Sequence, residues 1–129
     1  MPVAELETIY RSYLACCNER KFTDLGDFVH NALQHNGATI SLDHFTGRLR
    51  SVIEAVPDFR WELQDLVVDD RKVAVRIMSS GTPRAEWMGM APNGKSVKAA
   101  EYAFYHFREG KIAKIWFLFD ILSIRSQLS

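Results

Sequence analysis

The chain has only two cysteines, four prolines and no excess of either charge, and each shortage removes a class of protein. Cys16 and Cys17 are adjacent, so they form no ordinary structural disulfide with each other. They fit a reducing compartment, and a cytoplasmic location is expected. Sixteen basic residues balance sixteen acidic ones and no basic run stands out, so no nucleic-acid partner is expected. The longest apolar runs are far too short for a bilayer, which argues against a membrane partner. The opening MPVAELETIY lacks the basic segment and apolar stretch of a secretory signal. There is no CxxC pair, no HExxH and no histidine cluster, so no metal is expected. A GxSxG elbow is also missing. No repeat, linker or low-complexity segment divides the 129 residues, and residues 1–129 are expected to form a single domain.

What is present is patterned. Leu6, Ile9, Tyr10, Tyr13, Leu14 and Cys17 mark one stripe of a helix over roughly residues 3–20. Thr23 can cap a short second helix reaching Val29. The stretch 30–37, HNALQHNG, reads as a polar turn between helices. Ser41 is a plausible N-cap for a third helix, with Phe45, Leu49, Val52, Ile53 and Val56 as its apolar face, and Pro57 stops it. Beyond Pro57 the period changes to two. Phe59, Trp61, Leu63 and Val67 share one parity, and Val73, Val75 and Ile77 alternate with polar residues. A short strand is expected around Trp87 and Met88. Residues 98–108 and 111–120 read as aromatic-rich strands joined by a two-residue turn at Glu109-Gly110. Helices followed by a run of antiparallel strands imply an α+β domain, with helices packed on one face of a sheet.

The segment 89–96, GMAPNGKS, fills every fixed position of the phosphate-loop pattern. That pattern works only between a buried strand and a helix, whose N-terminus binds the phosphates with the loop amides. Here the segment before Gly89 is not apolar, and the residues from Val97 onward are strand-like. Asn93-Gly94 is therefore read as a turn.

The remaining candidates are polar residues set among apolar ones. Asp120 follows Trp116-Phe117-Leu118-Phe119; desolvation there would raise its pKa and suit it to acid–base work, or the residue simply marks the end of the last strand. Glu101 interrupts an apolar strand, as a site acid or as a surface acid paired with Lys98 or Lys114. A plain two-residue hairpin places it opposite Leu118, on the face that also carries Tyr105, Trp116 and Asp120; a one-residue shift separates Glu101 from Asp120. His35 and Asn36 can orient a ligand or transfer a proton, or simply form a turn. Arg76 can bind an anionic or carbonyl group, or face outward. Trp61, Trp87 and Trp116 can line an apolar pocket or serve as core.

These residues also carry a resemblance. The stretch 101–128, EYAFYHFREGKIAKIWFLFDILSIRSQL, together with 92–97, PNGKSV, and 34–37, QHNG, resembles the SnoaL-like polyketide cyclase family of the nuclear transport factor 2-like superfamily. Pro83 stands where that family often has histidine. The resemblance implies a cone-shaped α+β fold, with helices plugging a curved antiparallel sheet around a hydrophobic pocket, and a homodimer formed through the outer sheet surface. It implies an enzyme without metal or cofactor, of the cyclase, isomerase or hydroxylase kind, acting on a small hydrophobic carbonyl compound. Asp120 corresponds to the essential acid of the cyclases. On this reading Asp120 and His35 are catalytic, and Asn36, Arg76, Trp87, Glu101 and Trp116 hold the substrate. The alternative is a non-catalytic binding or scaffold protein of the same fold.

Overall fold

The N-terminal stripe forms as its spacing predicts. In the computed structural model, which describes residues 2–129, helix α1 spans Val3–Asn18 and buries Leu6, Tyr10, Tyr13, Leu14, Cys16 and Cys17. A short 3-10 helix, Phe22–Asp27, then buries Phe22 and Leu25. The segment expected to be a polar turn is instead a strand, β1 (Val29–His35), which hairpins into β2 (Ala38–Ser41). Asn36 and Gly37 both have positive φ (49° and 88°), as a tight two-residue hairpin demands. The strand escapes a period-two reading because only Val29 and Leu33 are fully buried, four positions apart. Its pairing with the neighbouring strand shifts between Val29 and Gln34.

Helix α2 spans Leu42–Ala55. Ser41 caps it, its Oγ accepting from the His44 backbone N–H at 3.0 Å. Beyond α2 come four strands: β3 (Arg60–Asp69), β4 (Lys72–Gly81), β5 (Val97–Arg108) and β6 (Lys111–Phe119). The short strand expected near Trp87 is a single bridge between Trp87 and Met90. A final helix, α3 (Ile121–Leu128), packs on β5, so the helices do not all precede the strands.

The six strands lie in the order β2-β1-β6-β5-β4-β3. All neighbours are antiparallel except β1 and β6, which run parallel. The sheet is therefore mixed rather than wholly antiparallel. Strands joined by tight turns must be antiparallel, whereas β1 reaches β6 through most of the chain and is free of that constraint.

Two bulges decide which side chains face the helices. On β3 the register shifts between Leu63 and Asp65, with Gln64 as the extra residue. Trp61 and Leu63 face inward before it and Leu66 and Val68 after it. Val67, expected among the inward set, points out and is exposed. On β6 the shift falls at Ala113, so the fully buried Ile112 and the buried Ile115 are three apart.

The core lies between this inner face and α1 and α2. Tyr10 and Tyr13 each pack edge-on against Tyr105, Tyr10 with ring centroids 4.8 Å apart, and are tilted against each other. Asn18 joins α1 to the β3 edge. Its Nδ2 donates to the Trp61 carbonyl at 2.8 Å and its Oδ1 accepts the Trp61 N–H at 2.9 Å. Asn18→Ala is expected to destabilise the fold by about 1–3 kcal/mol, because both backbone groups lose their partner. An unchanged urea midpoint would show that the pair contributes nothing.

Candidate functional site

Alternation along β5 sets Ala99, Glu101, Ala103, Tyr105 and Phe107 toward the helices, and Tyr102 and Phe104 away from them. The Ala113 bulge brings Phe117 and Phe119 to the same side as Glu101. With α2 and the Trp87 segment, these residues line an open-mouthed cavity of about 440 Å³. Phe59, Trp61, Trp87, Phe117 and Phe119 form much of its wall, and Phe45, Leu49 and Val52 come from α2. A smaller adjoining space of about 80 Å³ extends to Tyr13, Cys17 and Tyr105. Glu101 and His35 border both spaces.

Glu101 is the carboxyl of this cavity. Its strand neighbours are Ile77 and Phe119. Among the described residues, the ion pairs involve Glu7, Glu19, Glu62 and Asp65, and none involves Glu101. The side chain opens onto the cavity and so is only half-buried by surface, yet protein surrounds it. Burial pushes its pKa up to about 7 from an ordinary 4.5.

His35 ends β1 with its ring against Phe117 and Phe45, at centroid distances of 5.0 and 5.7 Å. Arg48 Nη1, from α2, donates to His35 Nδ1 at 2.6 Å. Burial, then the charges of Arg48 and His44, hold the imidazole pKa down to about 4. His35 is thus neutral at physiological pH.

The other residues singled out in the sequence are dispersed. Trp87 is buried in the wall, tilted against Phe119 and edge-on to Phe59. Asn36 borders the cavity, but its Oδ1 accepts the Phe117 N–H at 2.8 Å, extending the β1–β6 pairing past the strand end. Trp116 lies on the outer face, over Gly37. Arg76 is also outside, pairing with Asp65 at 2.7 Å. Asp120 is exposed and caps α3, its Oδ1 accepting the Ser123 N–H at 3.1 Å. The register that would have grouped Glu101, Trp116 and Asp120 is therefore corrected. The bulge places Glu101 opposite Phe119 and turns Trp116 outward.

The family model described as SnoaL-like polyketide cyclase matches residues 7–128. The chain belongs to the SnoaL-like polyketide cyclase family. A SnoaL-like polyketide cyclase from Agrobacterium tumefaciens str. C58 is 33% identical, with a TM-score of 0.91 and 100% of each chain covered. TsrD from Streptomyces laurentii is similar in fold, at 24% identity and TM-score 0.90, covering 100% of this chain and 98% of that one. A comparison with curated proteins found no match.

Within this SnoaL-like domain, Arg48 is the site residue that the sequence reading missed. It lies three residues after Phe45 and next to Leu49, on the flank of the apolar stripe of α2. That position was the available signal; its pairing with His35 depends on how α2 packs on β1. The segment matching a phosphate loop leads directly into β5 and not into a helix, and the Asn93 side chain accepts the Lys95 N–H at 3.0 Å within the turn. Among the described residues, no group of three or more His, Cys, Asp or Glu could hold a metal ion, and no helix is long and apolar enough to cross a membrane.

Proposed function

We propose that this protein moves a proton at a carbon next to a carbonyl in a small apolar molecule held in the cavity. Glu101 is the proton-carrying carboxyl and His35 donates a hydrogen bond to the carbonyl oxygen. The observation that carries this reading is Glu101 itself: a carboxyl without an ion-pair partner, facing an aromatic-walled cavity. Folding alone gains nothing from such a group, since an apolar residue there avoids its desolvation cost. A carboxyl with a pKa near 7 exchanges protons readily at neutral pH. A neutral donor near the oxygen stabilises the enolate, an effect of about 3 kcal/mol in a dry site. The cavity volume lies within the roughly 300–1,000 Å³ range of small-molecule sites.

Ring closure of the type in the family name begins with the same step, because a proton removed beside one carbonyl leaves a carbon nucleophile that attacks another. The direct test is a panel of aromatic and alicyclic ketones incubated with the protein in D2O, with α-proton exchange monitored by NMR. Exchange above the buffer rate for at least one ketone is expected. If the protein retains ketones without exchanging any of them, the non-catalytic binding reading replaces this one.

We further infer that the protein is a homodimer through the outer sheet face. Val67, Ala74, Phe104 and Trp116 form one row across β3, β4, β5 and β6, and Leu118 extends it. Leu118 is 72% exposed and Phe104 56%. Contiguous apolar surface of this kind marks an interaction site. A self-complementary face suits a second copy of the chain.

A further inference from the structure

Arg48 is a group that the proton transfer itself does not use. It is an exposed cation beside the apolar stripe of α2, with no carboxylate partner among the described ion pairs. Its guanidinium instead meets a histidine nitrogen at 2.6 Å. A guanidinium has five donors and no acceptor, and it does not lose its proton in proteins. Nδ1 of His35 must therefore present its lone pair to Arg48. The imidazole proton is then confined to Nε2. We propose that Arg48 is a positioning residue that fixes His35 as the neutral Nε2–H tautomer, making His35 a hydrogen-bond donor to substrate rather than a general base. This rests on the proton-transfer reading above for its functional meaning, but the tautomer itself does not.

Two further features fit. Phe45 and Phe117 pack on the His35 ring from α2 and β6, so the ring plane is set by contacts independent of Arg48. The groups facing His35 divide the labour at the site. Arg48 and His44 approach from α2, Glu101 shares the cavity from β5, and Tyr13, Cys17 and Tyr105 line the smaller adjoining space. The strand positions paired with His35 are the uncharged Ala38 on β2 and Ile115 on β6. Both Arg48 and His44 oppose a positive imidazole, so a proton arriving at the site is left to the carboxyl. Glu101 can then act as the base while His35 keeps the carbonyl oxygen in place.

The test needs no substrate. Long-range 1H–15N correlation spectra of the full chain, recorded across a pH series, report the tautomer and titration of each histidine. In the wild type, His35 is expected to show the Nε2–H pattern at neutral pH and to titrate near 4. In Arg48→Met, which keeps the aliphatic stem and removes the donors, the Nδ1–H form should appear and the titration midpoint should move upward. His30 and His106, which lie away from α2, serve as internal controls, and an unchanged thermal midpoint excludes misfolding, because Arg48 is exposed. A wild-type His35 that carries its proton on Nδ1, or an Arg48→Met spectrum identical to wild type, would overturn the proposal. Loss of ketone exchange in Glu101→Gln with these spectra unchanged concerns the proton carrier alone. The two inferences therefore fail separately.

Discussion

Replacing Glu101 with Gln is expected to slow α-proton exchange by about 10²–10⁴-fold, the usual contribution of a positioned acid–base group. The same substitution should stabilise the fold above neutral pH. Burial raises the Glu101 pKa from 4.5 to about 7. Below pH 4.5 both the folded and unfolded chains carry the proton, and the group has no pH-dependent effect. Between 4.5 and about 7 the unfolded chain ionises while the folded one holds its proton, so the folded state loses stability as pH rises. Above about 7 the accumulated cost levels off, at about 3 kcal/mol as an order of magnitude. Glutamine has a similar shape and no charge, so Glu101→Gln removes that cost and raises the thermal midpoint by several degrees at about pH 8, with little change at about pH 4. Wild-type exchange should rise with pH through about 7, as the base form of Glu101 accumulates.

Asp120→Asn is the comparator. Asparagine caps helices as well as aspartate does, so the α3 N-terminus and the stability should hold. With Glu101 as the proton carrier, the exchange rate stays close to wild type. Exchange abolished in Asp120→Asn and retained in Glu101→Gln would reverse the assignment and return the chemistry to the acid that caps α3. A stability gain without any loss of rate in Glu101→Gln would leave the buried carboxyl unexplained by this mechanism.

The second large effect is expected at the outer face. Leu118→Arg should convert a dimer to monomer, weakening association by about 100-fold or more, roughly 3 kcal/mol. The leucine is exposed in the single chain, so arginine there costs the fold little. Across a dimer interface the same guanidinium would be buried without a carboxylate partner. Sedimentation velocity over a concentration series distinguishes these states. A wild-type chain that stays monomeric at the highest soluble concentration removes the dimer, and an undiminished dimer in Leu118→Arg moves it to another surface. Trp116 is informative in the same experiment. It lies in the apolar row but also covers Gly37, so its substitution probes the β1–β2 hairpin as well as association.

The amino-acid sequence determined which elements form wherever local period and side-chain chemistry agree. The α1 stripe, the Ser41 cap, the alternation of Val73, Val75 and Ile77 and the Glu109-Gly110 turn are all of this kind, since each depends on residues a few positions apart. It also marked Glu101 as an acid out of place in an apolar strand. The tertiary structure decided which acid is enclosed. A single extra residue at Ala113 shifts the β5–β6 pairing by one, and in a strand of period two that shift exchanges the two faces. Glu101 and Phe119 thereby line the cavity, while Trp116 is carried to the outer face and Asp120 is left to cap α3. The strand β1 was hidden for a related reason: its hairpin to β2 is local, but its place in the sheet depends on β6, some eighty residues later, and no local pattern reports so distant a pairing. The Arg48–His35 contact belongs to the same class, because α2 must first pack on β1 before a guanidinium can choose the proton position on an imidazole.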